Sequence, residues 1–172
     1  MTDGSSTGSA RAAPERSPSD YTGAIYGSLL AASVVAGTSP GQTPPRPLEL
    51  IVVLLATGIV FWLAHVYAQL GGDRLAGASL SRNEVRVAAA REWPIVQAAV
   101  PPALAAGIGA LLGLSDSGAA WLALLVAVAG QLGWALYAAA RAGATRRVMI
   151  ASGAGYLVLG LLIVLLKAAL SH

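Results

Sequence analysis

The chain has no cysteine, only two histidines and few charged residues. Without cysteine it forms no disulfide and offers no thiolate for metal binding or nucleophilic catalysis. Two histidines, one of them the last residue, are too few for a zinc site built by this chain alone. Charged residues make up 11% of the sequence, against about 25% in soluble domains. Because 56% of the residues are hydrophobic, too little polar surface remains for a water-soluble globule, which predicts a membrane protein.

Long apolar runs predict an all-α, polytopic membrane helix bundle with about five transmembrane helices. The predicted spans cover about residues 21–37, 48–70, 94–114, 119–140 and 148–170. The first run is the shortest, near the lower limit of about 17 residues for crossing a hydrocarbon core about 30 Å thick. A cleaved signal peptide at 21–36 is the alternative for this run, since it ends in small residues. Residues 1–20, rich in Ser, Gly, Pro and Arg and without apolar periodicity, are predicted to be a disordered cytosolic tail.

The segment before the third span carries the signals of a helix start and of a bend. Ser81 and Glu84 stand at capping-box spacing, which predicts an interfacial helix over about residues 82–93. Pro101 and Pro102 lie inside the third span. Their missing N–H groups leave two carbonyls of the preceding turn without donors, and their rings crowd that turn, which predicts a kink in the third helix.

The positive charges predict the orientation, because Lys and Arg collect on the cytosolic side. With five spans, one side holds Arg11, Arg16, Arg74, Arg82, Arg86, Arg91, Arg141, Arg146 and Arg147, while the other side holds Arg46 and Lys167. The cell membrane is therefore the expected location, with the N-terminus cytosolic and the C-terminus outside. The same arginines account for the pI of about 9.7 without nucleic acid as a partner, and they would attract anionic lipid headgroups. An aromatic belt near the cytosolic side is predicted from Tyr21, Tyr67, Trp93 and Tyr137.

Two stretches carry a resemblance to known proteins. FWLAHVYAQL at Phe61–Leu70 and EWPIVQAAVPP at Glu92–Pro102 resemble segments of small multi-pass integral membrane proteins of actinobacteria to which no function is assigned. The resemblance implies a membrane bundle and supplies no catalytic residue.

Polar side chains inside predicted spans are the candidates for a site, because such groups are costly in a membrane and tend to face protein or water. The candidates for a cytosol-facing cavity are His65, Glu92, Gln97, Gln131 and Tyr156. His65 is either a protonatable pocket group or an interfacial side chain held by a backbone carbonyl. Glu92 either pairs with His65 or an arginine, or is solvated. Gln131 and Tyr156 either line the cavity or hydrogen-bond between helices.

Catalytic signatures are lacking in the sequence. Gly113, Ser115 and Ser117 lack the second glycine of a nucleophile elbow, and the chain has no phosphate loop or H-E-x-x-H. We therefore expect no catalysis, no cofactor and no metal. The predicted function is association within the membrane, as a homo-oligomer or with a membrane-protein partner. The alternative is a transporter or channel component whose cytosolic cavity binds a small solute or a proton.

Overall fold

The computed structural model describes residues 19–38, 44–75 and 81–170, and these form helices joined by turns and short connections. The helices are α1 (Ser19–Gly37), α2 (Pro47–Leu75), α3 (Arg82–Glu92), α4 (Pro94–Leu111), α5 (Asp116–Arg141) and α6 (Arg146–Leu170). The all-α bundle of membrane type is therefore confirmed. The predicted disordered tail lies outside the described residues except for its last two positions.

Four segments are long and apolar enough to cross a membrane: α2, α3 joined to α4, α5 and α6. Helix α1 is a shorter apolar helix. The two most apolar of the four, α2 and α6, are also the two least buried inside the bundle. Their large aliphatic side chains point outward, as a lipid environment requires.

Helix α1 lies at the centre of the bundle and contacts every other described helix. Its inward side is built from small residues. A Cβ atom added to Gly27 would lie 2.7 Å from the Ile95 carbonyl oxygen, so only glycine allows α1 and α4 to approach this closely. Further along, Ala31, Ala32 and Val35 join the main core cluster. The hydropathy of α1 is weak because this helix packs against other helices of the bundle. In such contacts, small side chains matter more than large apolar ones.

Ring contacts at one end of α1 and a lysine at the other define the direction of the helices. The Tyr21 ring lies 5.4 Å from the ring of Tyr137 near the end of α5. At the opposite end, the Lys167 ammonium donates a 3.0 Å hydrogen bond to the Val35 carbonyl and lies 5.8 Å from the Trp121 ring centroid. The start of α1 and the end of α6 are therefore at opposite ends of the bundle. Tyr21 is only 4% exposed, so its ring packs mainly against protein.

The turns after α4 and α5 are built in the same way. Gly113 and Gly143 adopt positive φ values of 78° and 65°, a conformation that side chains with a Cβ rarely adopt. After α4, the Leu114 N–H bonds the Gly109 carbonyl and the Gly113 N–H bonds the Ala110 carbonyl, which is the Schellman pattern. The same pattern follows α5. Helices α4 and α5, and likewise α5 and α6, are therefore joined by tight, hydrogen-bonded turns.

Helix α3 is held against α2 by specific contacts. The predicted capping box is confirmed: the Ser81 side chain accepts from the Glu84 N–H, and the Glu84 carboxylate accepts from the Ser81 N–H. The Trp62 indole N–H donates a 2.8 Å hydrogen bond to the Ala89 carbonyl. The Trp62 ring also meets the Trp93 ring edge to face at 5.5 Å. The last turn of α3 is therefore placed precisely beside α2.

The helical segment 82–111 is interrupted at Trp93, directly before Pro94. Helix α4 then continues through Pro101 and Pro102 to Leu111. The kink at the proline pair stays a prediction. Helix α2 runs past the predicted end at Leu70 and through Gly71 and Gly72, since a helical glycine costs only about 1 kcal/mol relative to alanine.

Candidate functional site

A pocket of about 390 Å³ opens between α1, α2 and the junction of α3 with α4. We call it the polar pocket, and its lining is Thr22, Gly23, Tyr26, His65, Gln69, Arg91, Glu92 and Ile95. Two of the five predicted cavity residues, His65 and Glu92, meet here. They reach it from different helices, so the pocket is a product of the tertiary fold.

Glu92, the last residue of α3, is half-buried and accepts a hydrogen bond from the Gln69 amide. The sequence predicts Glu92 either paired with His65 or an arginine, or solvated, and the observed partner is an uncharged amide. One carboxylate oxygen is engaged by that amide. Because a carboxylate has two oxygens that only accept, the other retains capacity for a donor from a bound molecule.

His65 lies one turn before Gln69 on the same face of α2. Its Nδ1 atom is 2.9 Å from the Phe61 carbonyl oxygen, and its ring lies 5.2 Å from that of Tyr26. A carbonyl only accepts, so in this hydrogen bond Nδ1 carries the proton, and Nε2 is an acceptor when the ring is neutral. A backbone carbonyl therefore holds the histidine, and the histidine also lines the polar pocket.

A larger pocket of about 770 Å³ lies beside the first, between α1, α3, α4 and α5. We call it the aromatic pocket, and its lining is Tyr21, Ala24, Val87, Ala90, Arg91, Trp93, Pro94, Gln97, Ala98 and Trp134. Arg91 lines both pockets, while Gln97 lines only this one. Glu92 and Gln97 thus belong to neighbouring pockets at the same end of the bundle.

Gln131 and Tyr156 line neither of these two pockets. Gln131 is fully buried in α5, and neither its amide nitrogen nor its amide oxygen has a hydrogen-bond partner in the described part of the chain. Tyr156 is half-buried in α6. Of the five candidates, His65 and Glu92 thus line the polar pocket, Gln97 lines the aromatic pocket, and Gln131 and Tyr156 line neither.

Residues that the sequence analysis did not select complete the polar pocket. Gln69 could have been found from its spacing of four from His65, which places both on one helix face. Arg91 stands next to Glu92 in the sequence. Tyr26 comes from α1, and the sequence does not indicate that α1 lies against His65.

The pocket chemistry favours binding of a molecule that donates hydrogen bonds. Glu92 and His65 both offer acceptor atoms. Within the described ranges, no group of three or more His, Cys, Asp or Glu side chains is arranged to hold a metal ion. The fold and the site define a helical integral membrane protein with two adjoining pockets at the end of the bundle where α1 begins.

No protein-family model, curated protein or solved structure matches this chain. The resemblance to small actinobacterial membrane proteins therefore stays a prediction.

Proposed function

We propose that this chain is a non-catalytic, multi-pass protein of the cell membrane that binds a small amine, or another solute rich in N–H donors, in the polar pocket. The observation that supports this proposal is the convergence of Glu92 and His65 on one pocket from two helices. Both are acceptors, and a half-buried carboxylate favours a ligand that is cationic. The pocket volume of about 390 Å³ lies in the usual range for sites of small molecules, roughly 300–1,000 Å³.

The pocket ends against a closely packed core. Gly27 packs directly on the Ile95 backbone, and a Cβ atom added to Gly58 would lie 3.2 Å from the Ala99 Cβ atom. Beyond these contacts, Ala31, Leu54 and their neighbours form the main core cluster. This arrangement favours binding over conduction by one chain. Association with a second copy or with another membrane protein, which the sequence predicts, is the second candidate.

The orientation that we propose has five crossings, with the N-terminus in the cytosol. The arginines of α3 and of the α5–α6 turn lie at the pocket end of the bundle, and Lys167 lies at the other end. The positive-inside rule then makes the pockets face the cytosol. Because α1 supplies the centre of the bundle, its removal as a signal peptide would uncover the packed faces of α4 and α5, which supports a retained span.

The solute proposal predicts a thermal shift in the purified protein. A panel of primary amines, amino acids and short carboxylates is added to detergent-solubilised protein, and the unfolding temperature is recorded. An amine at 100-fold its Kd should stabilise the protein by about 2.7 kcal/mol. Glu92→Gln removes the charge and should weaken binding at least about tenfold, since charge-assisted hydrogen bonds contribute about 1.5–3 kcal/mol.

Glu49→Gln is the matched control, because Glu49 accepts from the Arg46 N–H at the opposite end of the bundle. It should leave the ligand shift unchanged. If no amine shifts the transition, or if Glu92→Gln binds as tightly as Glu49→Gln, the solute site is wrong and association is the remaining candidate.

The proposed orientation predicts the behaviour of reporters fused to the C-terminus. A reporter enzyme that is active only outside the cytosol should be active there, while one that is active only in the cytosol should be silent. The reason is the unequal arginine distribution between the two ends. The reverse result would leave an even number of crossings and remove the five-span topology.

A further inference from the structure

The aromatic pocket combines three large rings with one cation. Tyr21 and Trp134 lie 6.2 Å apart between ring centroids, and Trp93 lines the same pocket from the junction of α3 and α4. Most of the remaining lining is aliphatic. The pocket therefore offers apolar surface with a single charged group, the Arg91 guanidinium.

The charge of the lining selects the sign of the ligand. Aromatic cages in proteins often bind quaternary ammonium ions, but here those ligands would meet the positive charge of Arg91 without a carboxylate in the same lining, whereas Glu92 accompanies Arg91 in the polar pocket. No carboxylate belongs to the lining of this pocket. An anion suits this pocket, and arginine is the side chain best shaped to hold a phosphate through paired N–H donors.

The location of the pocket selects an amphiphile over a free anion. Trp93 is 45% exposed at the outer edge of the bundle, and Tyr67 and Tyr137 are exposed at the same end. Exposed Trp and Tyr side chains mark the headgroup level of a bilayer. A volume of about 770 Å³ exceeds what a phosphate fills, and the aliphatic lining suits the start of an acyl chain.

We infer that the aromatic pocket holds one anionic phospholipid per chain, with its phosphate on the Arg91 guanidinium and its glycerol and upper acyl region against the rings of Tyr21, Trp93 and Trp134. This site differs from a general attraction of lipids to basic residues, because one arginine and one pocket define it. It is independent of the solute proposed for the polar pocket.

Fluorescence quenching in vesicles tests this inference. The Trp121→Phe variant retains Trp62, Trp93 and Trp134, all at the pocket end of the bundle. It is reconstituted in phosphatidylcholine vesicles that contain brominated phosphatidylglycerol or, at the same mole fraction, brominated phosphatidylcholine. Quenching by the anionic lipid should exceed quenching by the zwitterionic lipid. With Arg91→Gln the preference for the anionic lipid should fall about fivefold, the equivalent of about 1 kcal/mol for one arginine at the surface.

Arg86→Gln is the matched control, since Arg86 is an exposed residue of the same helix that does not line the pocket. It should keep the excess quenching, and soluble glycerol phosphate should not reverse that excess. Native mass spectrometry should show one phosphatidylglycerol retained by the Arg86→Gln protein and a clearly smaller lipid-bound fraction for the Arg91→Gln protein. Equal quenching by the two lipids, equal loss in both arginine variants, or full reversal by glycerol phosphate would each overturn the lipid site. Glu92→Gln should leave the quenching unchanged, which separates this result from failure of the solute proposal.

Discussion

Gly27→Ala should destabilise the protein by about 1–3 kcal/mol, the usual cost of overpacking. The new Cβ atom would lie 2.7 Å from the Ile95 carbonyl oxygen and 2.8 Å from the Ala98 Cβ atom. The first of these is backbone, so α1 and α4 must separate to admit the methyl group. The loss is expected even though alanine is intrinsically the better helix residue by about 1 kcal/mol. The measurement is the unfolding midpoint of the purified protein in detergent.

Gly23→Ala is the control, one turn earlier on the same helix and facing the same neighbour. There the new Cβ atom would meet Ile95 Cγ1 and Pro94 Cβ at 3.6 Å, an ordinary contact distance. This variant should be neutral or slightly more stable, by about 0.4–1 kcal/mol. Equal stability of the two variants would show that α1 does not pack against α4 as described.

Gln131→Met should stabilise the protein, which is the opposite of the usual effect of a core substitution. Both polar atoms of the Gln131 amide are buried without a hydrogen-bond partner among the described residues, a state that costs about 1–3 kcal/mol. In a membrane, polar side chains of the unfolded helices also find hydrogen-bond partners. The Gln131 amide therefore loses more hydrogen bonding on folding than it regains. Methionine has a similar shape and no amide to satisfy. A gain of about 1–3 kcal/mol in the free energy of unfolding is expected.

Gln69→Met provides the comparison, because it removes an amide that does have a partner. Gln69 donates a hydrogen bond to Glu92. Loss of the Gln69 amide leaves the half-buried Glu92 carboxylate with one donor fewer. This variant should be less stable by about 1 kcal/mol. If Gln131→Met is destabilised as much as Gln69→Met, the Gln131 amide is satisfied in the folded protein and the inference from its burial is wrong.

Local features could be predicted from the sequence because their causes are local. The capping box of α3 follows from Ser81 and Glu84 alone, since their spacing of three residues sets that geometry. The four long apolar helices follow from composition within one window. The carbonyl that holds His65 belongs to Phe61, one turn away on the same helix. None of these required knowledge of which helices are neighbours.

The candidate site could be predicted only in part because its geometry depends on neighbours. His65 and Glu92 were found from their cost in a membrane, yet the partner of Glu92 is the Gln69 amide, 23 residues away. From its depth, Gln131 either lines the same cavity or hydrogen-bonds between helices, because depth along the membrane normal does not tell which way a helix face points. Lys167 was counted as an outer charge, and it is buried against the end of α1.

The sequence by itself determined that the helices of this protein lie in a lipid bilayer. Few charges, no cysteine and long apolar runs make a helical membrane bundle the stable fold. Only the tertiary structure decided that α1, an apolar helix shorter than the four long ones, occupies the centre, and that two pockets open beside it. The physical reason is that hydropathy measures transfer of a helix into lipid, while contact between helices depends on close packing of small residues such as Gly27. Lipid tails are as apolar as leucine, so burial of apolar surface does not determine which helices become neighbours. Shape complementarity and polar contacts between helices determine it.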